Sequence, residues 1–301
     1  MLRIFLFVLT NMAVMFLVSI TFTVLGVEEI LYSQGLNADL GMMLVFCAVF
    51  GMVGSLVSLL LSKSMAKRGM GVKIIEQPAN AKEQWLVTTV EKIASDAGIK
   101  TPEIGVFPSQ ASNAFATGWN RNAALVAVSE GLLHRFTEEE CKAVMAHEIG
   151  HVANGDMITL SLIQGIINTF VMFFARIVGL FVDRVILKND RGYGMGFYLT
   201  SMLAQVVFGI LGSIVVMWFS RWREYRADVA GAELASRSGM INALKRLQQE
   251  SDIPKNMPEQ FSAFGISGDL KSNFGHLFLS HPPLEQRIAA LQAAAGPSTK
   301  M

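Results

Sequence analysis

The chain alternates long apolar segments with amphipathic ones. Residues 4–27 and 40–62 contain no charged side chain, and each is long enough to cross a hydrocarbon core of about 30 Å as a helix. Residues 157–182 are apolar except for Arg176, and residues 192–220 are uncharged but rich in glycine at their start. The pattern therefore predicts four apolar helices. The first two are predicted to span a membrane, and the second two are either spans or a buried or interfacial hairpin.

Basic residues are distributed unevenly among the loops. Arg3 precedes the first apolar segment, and residues 28–39 contain acids but no lysine or arginine. Basic residues follow the second segment at Lys63, Lys67, Arg68 and Lys73. The positive-inside rule therefore places the N-terminus and the residues after position 62 in the cytoplasm. Residues 183–191 join the third and fourth apolar segments and include Arg184, Lys188 and Arg191. The same rule therefore disfavours a hairpin of these two segments that places the loop outside the cytoplasm.

The composition agrees with a membrane protein. Hydrophobic residues make up 52% of the 301 residues and charged residues only 16%, whereas about a quarter of a soluble domain is charged. The net charge of +1 leaves no basic excess for binding nucleic acid. The two cysteines, Cys47 and Cys141, lie far apart and do not indicate a disulfide framework.

Two polar regions, residues 63–156 and 221–301, remain between and after the apolar segments. In the first region a helical pattern ends at Gly98, and three short, glycine-punctuated segments follow that are typical of a small sheet. Thr137 and Glu140 then form a capping-box pattern that opens a further helix. The second region has the periodicity of two or three helices.

His147, Glu148 and His151 form a His-Glu-x-x-His pattern on the helix that Thr137 opens. Two imidazoles four residues apart share one helical face and can bind a single metal ion. Glu148 lies at the flank of this face, where it can accept a proton from the attacking water. A pair of solvated histidines is the alternative, but the helix is amphipathic and leads directly into an apolar segment. The pattern therefore indicates a catalytic zinc site, which needs one further protein ligand and an open position.

The third ligand is not part of the same helix. The residue six positions after His151 is Met157, which excludes the metalloproteases that have a third histidine there. Glu224, which follows the fourth apolar segment, is the favoured ligand. Asp228, one turn later, is predicted to hold the other ring nitrogen of a ligand histidine. Surface ion pairing of these two acids with nearby arginines is the alternative, and the other candidate ligands are Asp156, His134, His276 and His281.

Both parts of the predicted site adjoin an apolar segment. The histidine helix runs into residues 157–182, and Glu224 follows residues 192–220. Because His147 and Glu224 must meet on one side of the membrane, the segments between them cross it twice or not at all. We therefore expect the metal site at the cytoplasmic surface of the bilayer, with cleavage in loops and termini.

Four motifs in this order resemble the HtpX family, the bacterial heat-shock inner-membrane zinc proteases of gluzincin type that are related to the CaaX prenyl proteases. The motifs are SNAFATG, HEIGHVANGD, EYRAD and SHPPLEQRI, and with the paired apolar segments they cover essentially the whole chain. The resemblance implies one zinc ion per chain, bound by His147, His151 and Glu224, with Glu148 as the general base. It also implies a multi-pass protein of the inner membrane that degrades misfolded or damaged membrane proteins under stress and is capable of self-cleavage.

Three other parts of the sequence each allow two interpretations. Asn113, Ala114 and Phe115 lie in a segment typical of an edge strand, which would pair with an extended, unfolded substrate or be an ordinary strand of the sheet. His281 would stabilise the developing oxyanion or simply lie in a loop before a helix. Arg287 would brace that loop or be a solvated charge on the helix, and the solvated charge is the favoured interpretation.

The predicted fold is a mainly α membrane protein with four apolar helices and a helical, zincin-like catalytic domain that includes a small β-sheet. Residues 1–62 are the N-terminal anchor with two transmembrane helices, and 157–220 the second apolar pair. Residues 63–156 and 221–301 are the two halves of the metalloprotease domain, the second with the third ligand. Two other functions remain open. One is a zinc-binding membrane chaperone or adaptor without proteolysis, which the presence of Glu148 opposes. The other is a metal transporter, which would need more polar groups in its spans.

Overall fold

A computed structural model describes residues 39–250 and 279–294, together with Ile20, Val24 and Gly26. Apart from those three positions, the predicted first span lies outside the described residues, as does His276. The chain divides into two compact units. The first unit comprises residues 1–57 and 161–216, and the second comprises residues 58–160 and 217–301.

The described elements are mostly helices. In chain order they are α1 (Leu40–Gly69), β1 (Lys73–Ile74), α2 (Ala81–Asp96), β2 (Glu103–Phe107), β3 (Ala114–Gly118), β4 (Ala124–Ser129), α3 (Glu130–Arg135), α4 (Glu138–Asn154), α5 (Asp156–Phe181), a π-helical turn (Val182–Ile186), α6 (Met195–Leu234), α7 (Arg237–Gln249) and α8 (Leu284–Ala293).

Three described helices are long and apolar enough to cross a membrane. They are Leu40–Gly69, Asp156–Ile186 and Met195–Leu234. They contain the second and third predicted segments and residues 195–220 of the fourth. Each exceeds the roughly 20 residues that a span requires. Four apolar helices were expected. The fourth would be the first predicted span, residues 4–27, which lies outside the described residues except for three positions.

Arg176, the charge within the third apolar segment, contacts other side chains of the first unit. Its guanidinium carbon lies 5.3 Å from the centre of the Phe46 ring. One guanidinium nitrogen lies 3.4 Å from the backbone oxygen of Met172 and 3.7 Å from the sulfur of Cys47. A charge inside a span normally faces protein or water, and the aromatic face supplies a cation–π contact here.

A four-stranded sheet lies in the second unit with the order β1-β2-β4-β3. β2 and β4 are parallel, whereas β1 pairs with β2 and β3 pairs with β4 in antiparallel register. The predicted small sheet is therefore confirmed for its three longer strands. β1 was not predicted, because two residues are too few to show an alternating pattern.

The histidine helix α4 is buried on almost every side, because helices and strands of the domain pack around it. The expectation of an amphipathic helix was therefore wrong. The predicted capping box is confirmed at its start. The Glu140 amide donates to the Thr137 hydroxyl at 3.3 Å, and the Thr137 amide donates to the Glu140 carboxylate at 2.9 Å. Gly155 ends the helix with a φ of 67°, a left-handed conformation that glycine adopts without steric penalty.

Two glycines allow α4 and α6 to approach closely. A Cβ atom at Gly150 would lie 2.7 Å from the Cβ of Ala230, and one at Gly231 would lie 3.3 Å from the backbone oxygen of Ala143 on α4. Both distances are shorter than ordinary van der Waals contact. The missing side chains therefore bring the backbone of the histidine helix next to the segment of α6 that carries Glu224.

Candidate metal centre

His147, His151 and Glu224 meet inside the second unit. One potential ligand atom from each lies within 4.8 Å of the others. The Nε2 atom of His147 is 3.4 Å from one Glu224 oxygen, and the Nε2 atom of His151 is 3.2 Å from the other. All three side chains are buried. Among the described residues this is the one cluster of three or more such side chains, and His134 is not part of it.

The outer ring nitrogens of both histidines face carboxylates. The Nδ1 atom of His147 lies 3.1 Å from Asp228, and the Nδ1 atom of His151 lies 2.8 Å from Asp156. A carboxylate at Nδ1 favours the tautomer with the proton on that nitrogen, which leaves the Nε2 lone pair available to a metal. Asp156, which the sequence left open as a third ligand, therefore lies behind His151 and does not join the cluster. Its place at the end of the HEIGHVANGD motif was the available signal.

The cluster fits a tetrahedral metal ion. Zinc bonds to nitrogen or oxygen of about 2.0–2.1 Å imply ligand atoms about 3.3 Å apart, close to the 3.4 and 3.2 Å observed between each Nε2 atom and Glu224. Within the described part of the chain, both Glu224 oxygens and the Nε2 atom of His147 are buried without a hydrogen-bond partner of good geometry. A buried carboxylate needs compensation, and a divalent cation would supply it.

Burial sets the proton affinities around the cluster. Burial alone would lower the pKa of His147, but polar contacts with Asp228 and Glu224 outweigh it and raise the pKa to about 9. Burial raises the pKa of Glu148, while the neighbouring histidines oppose that shift. A carboxyl group with a raised pKa is a better proton acceptor near neutral pH. Glu148 thus has the environment that a general base requires.

His281 and Arg287 close the cluster from a distant part of the chain. The Nδ1 atom of His281 lies 2.7 Å from a Glu224 oxygen, and burial lowers the pKa of this histidine. Arg287, on α8, donates from Nε and Nη2 to the two Asp228 oxygens at 2.8 and 2.5 Å. Its side chain is 0% exposed. The interpretation of Arg287 as a solvated charge was therefore wrong, because its partner lies 59 residues earlier and the local helical pattern gave no sign of it.

The segment with Asn113, Ala114 and Phe115 lies at one edge of the sheet. Ala114 and Phe115 belong to β3, for which β4 is the one strand partner in the described sheet. Asn113 precedes the strand, and its backbone amide and carbonyl both pair with Ser129, at 2.9 and 2.8 Å. β3 also packs against α4. The outer edge of β3 therefore carries backbone groups that no described strand pairs, next to the helix that holds the histidines.

Known proteins resemble the chain over nearly its whole length. The model for peptidase family M48 matches residues 80–295. Protease HtpX of Pseudomonas fluorescens (strain Pf0-1) is 58% identical over 292 residues, which cover 97% of this chain and 99% of that protein. Protease HtpX of Hahella chejuensis (strain KCTC 2396) is 58% identical over 293 residues, with the same coverage of each chain.

A solved structure also shares the fold. The crystal structure of S. mikatae Ste24p matches with a TM-score of 0.58 at 18% identity, and the match covers 97% of this chain and 67% of that chain. The comparisons agree with the motifs, the apolar helices and the buried cluster of histidines and glutamate. On these grounds the chain belongs to peptidase family M48, as a membrane metalloprotease of the HtpX type.

Proposed function

We propose that the chain is a zinc-dependent endopeptidase with one zinc ion per chain, held by His147, His151 and Glu224. The observation that carries this proposal is the buried cluster, in which two Nε2 atoms face one carboxylate at 3.4 and 3.2 Å. Imidazole nitrogen with one carboxylate is a ligand set that catalytic zinc sites use. Asp228 and Asp156 orient the two histidines through their Nδ1 atoms.

Bound zinc would supply the Lewis acidity that activates water and the scissile carbonyl group. Glu148 accepts the proton from the attacking water and then delivers it to the leaving amine. His281 is proposed to stabilise the oxyanion that develops on the carbonyl oxygen in its protonated form, in which one N–H faces Glu224 and the other is available as a donor. Arg287 holds Asp228 in place through two hydrogen bonds and so keeps the ring of His147 in its orientation.

The substrate is proposed to bind as an additional strand on β3. Ala114 and Phe115 belong to the strand that would present backbone groups to an extended peptide, which favours unfolded polypeptide over folded domains. Asn113 would fix the start of this strand, because its own backbone amide and carbonyl pair with Ser129. The position of β3 against α4 supports this assignment, because a peptide on that edge runs beside the metal ligands.

The cellular setting is proposed from the loops and the family. We place the two catalytic segments, 63–156 and 221–301, in the cytoplasm, and residues 1–62 and 157–220 as paired spans of the bacterial inner membrane. The basic residues after position 62 support this orientation. Cleavage of misfolded or damaged membrane proteins under stress, and self-cleavage, rest on the resemblance to the HtpX family. A reporter that is active only outside the cytoplasm can be fused after Asn120. Activity of that fusion would refute the cytoplasmic location of residues 63–156.

The central experiment compares three forms of the detergent-purified protein. Wild type, Glu148→Gln and His147→Ala are prepared with a chelator, loaded with zinc and incubated with casein. We expect about one zinc per chain in wild type and in Glu148→Gln, and fragments from wild type alone. Loss of the general base should lower the rate by about 10²-fold or more. His147→Ala should lose both zinc and activity. Cleavage of casein by Glu148→Gln at the wild-type rate would refute the role of Glu148 as general base. Zinc binding by wild type without any cleavage of casein would favour a non-proteolytic adaptor.

A further inference from the structure

The part of α6 that belongs to the second unit has two different faces. The buried face carries Glu224 and Asp228. The other carries Trp218, Trp222 and Arg226, which are four residues apart and therefore form one stripe along the helix. Trp218 is 62% exposed and Trp222 is 49% exposed. Tryptophan is among the largest apolar side chains, so two exposed in succession indicate a surface that contacts something outside the described chain.

The side chains along the stripe change from apolar to charged in the direction of the helix axis. The uncharged segment ends at Ser220, with Trp218 inside it and Trp222 two residues beyond it. Arg226 follows Trp222 one turn later. The guanidinium of Arg226 lies 5.1 Å from the centre of the Trp222 ring, and one of its nitrogens is 3.3 Å from the Asn154 side chain. The order apolar, tryptophan, arginine is that of a helix leaving a bilayer, where tryptophan lies at the level of the lipid headgroups.

A second helix of the same unit shows a similar transition. On α1, Leu60 and Leu61 are exposed, and Lys63 and Lys67 follow within two turns. Both lysines form ion pairs with Glu103, at 2.8 and 2.5 Å. Two helices of one unit therefore pass from exposed apolar side chains to charged ones.

We propose that Trp218, Trp222 and Arg226 form an interfacial belt that lies in the headgroup layer of the bilayer and fixes the depth of the metal centre. The bilayer is the occupant that continuity favours, because the belt extends the apolar face of a membrane helix. Glu224 follows Trp222 by two residues, or about 3 Å along the axis. The headgroup layer is roughly 5–8 Å thick on each side. The metal ligand therefore lies within this layer or just outside it.

This depth limits which peptide bonds can reach the site, a consequence that rests on the proposed proteolytic function. An extended chain spans about 3.3–3.6 Å per residue. A bond about two to four residues from the end of a membrane span can therefore enter the site while the span stays in the bilayer. The expected substrates are membrane proteins whose segment next to the span is extended and unfolded.

The depth is tested without reference to activity. The chain has four tryptophans, and two variants each retain one, Trp222 or Trp218, with phenylalanine at the other three positions. Each is reconstituted in phosphatidylcholine vesicles brominated either near the headgroup or near the methyl end of the acyl chains. We expect Trp222 to be quenched more by the shallow bromines. Trp218, about 6 Å further along the helix, should show a larger share of deep quenching. Trp222 that neither lipid quenches, or that the deep bromines quench more, overturns the belt.

The distance between a membrane span and the bond that can be cleaved is tested with zinc-loaded protein in vesicles and a series of single-span substrates. A cleavable sequence is placed about two, four, eight or sixteen residues from the span. We expect cleavage from about four residues onward, and a requirement for more than about ten would overturn the proposal. The double variant Trp222→Gln/Arg226→Gln should lose cleavage of the four-residue substrate yet cut casein in detergent normally. If wild type fails on casein, the proteolytic function is wrong, whereas casein cutting with a long-linker requirement rejects the belt alone.

Discussion

Substituting Gly150 by alanine should weaken metal binding without touching a ligand. A Cβ at this position would lie 2.7 Å from the Cβ of Ala230, whereas ordinary contact begins at 3.4 Å. The difference, 3.4 minus 2.7, requires α4 and α6 to separate by about 0.7 Å. Metal–ligand distances in functional sites vary by only about 0.2 Å. The histidines on α4 and Glu224 on α6 would therefore be held farther apart than the bond lengths of one ion favour.

The magnitude follows from this mismatch. Inserting a methyl group into a packed contact costs about 1–3 kcal/mol. If half or more of that strain is relieved by moving the ligands apart, zinc binding should weaken by about 0.5–3 kcal/mol, so the zinc Kd should rise roughly 2–150-fold. The assay is competition between the purified protein and a chromophoric chelator of known affinity. Cleavage of casein at saturating zinc shows whether the distorted site remains active.

Two companion variants separate this explanation from a general effect of alanine. Gly209 lies on the same helix α6, and a Cβ there would have nothing within 4 Å, so Gly209→Ala should leave the Kd unchanged. Ala230→Gly removes the opposing methyl group, and the double variant Gly150→Ala/Ala230→Gly should recover most of the affinity. The reasoning fails if Gly150→Ala binds zinc as tightly as wild type, or if the double variant binds as weakly as the single one.

Three further predictions concern one ligand histidine and two groups that surround the ligands. Asp156→Asn weakens the contact at Nδ1 of His151 and should raise the zinc Kd about tenfold in the same competition assay; an unchanged Kd would exclude an orienting role. Arg287→Met leaves a buried carboxylate unpaired and should cost about 3–5 kcal/mol of folding free energy. Chemical unfolding in detergent measures this loss, and a neutral result would mean that the ion pair is not formed. His147 has a pKa raised from 6.5 to about 9 in the metal-free protein, so its stabilisation is complete below about pH 6.5 and disappears as the pH rises through about 9. Thermal unfolding with chelator should show this decline, whereas zinc-loaded protein should not, because His147 is then already neutral.

The histidine helix could be predicted because its signals are local. The capping box at Thr137 is a short-range pattern, and residues four apart on a helix share a face wherever the helix lies. Glu224 was harder to identify, since its distance from His151 depends on how α4 and α6 cross. The sequence suggested it only through its position after an apolar segment and the acid one turn later.

The roles of Asp156 and Arg287 could not be predicted with the same argument. An acid near a histidine can bind the metal or hold the ring, and the choice depends on the direction in which the next helix leaves. Asp156 begins α5, and this places its carboxylate behind His151. Arg287 has the sequence surroundings of a solvated residue, and only the packing of α8 shows that Asp228 neutralises it. In both cases the packing of separate helices determined the role. The periodicity of the sequence shows which residues share a helix face, but not how the helices pack together.

The arrangement of the cluster along the chain has a consequence for biosynthesis. His147 and His151 are made first, Glu224 follows after two apolar segments, and His281 and Arg287 arrive with the last described helix. Until α8 packs, the buried carboxylates of Glu224 and Asp228 lack the arginine that neutralises them. We therefore expect hydrolytic competence to be among the last properties that a growing chain acquires. The order of synthesis itself would then protect the membrane, and the unfinished protease, from premature cutting.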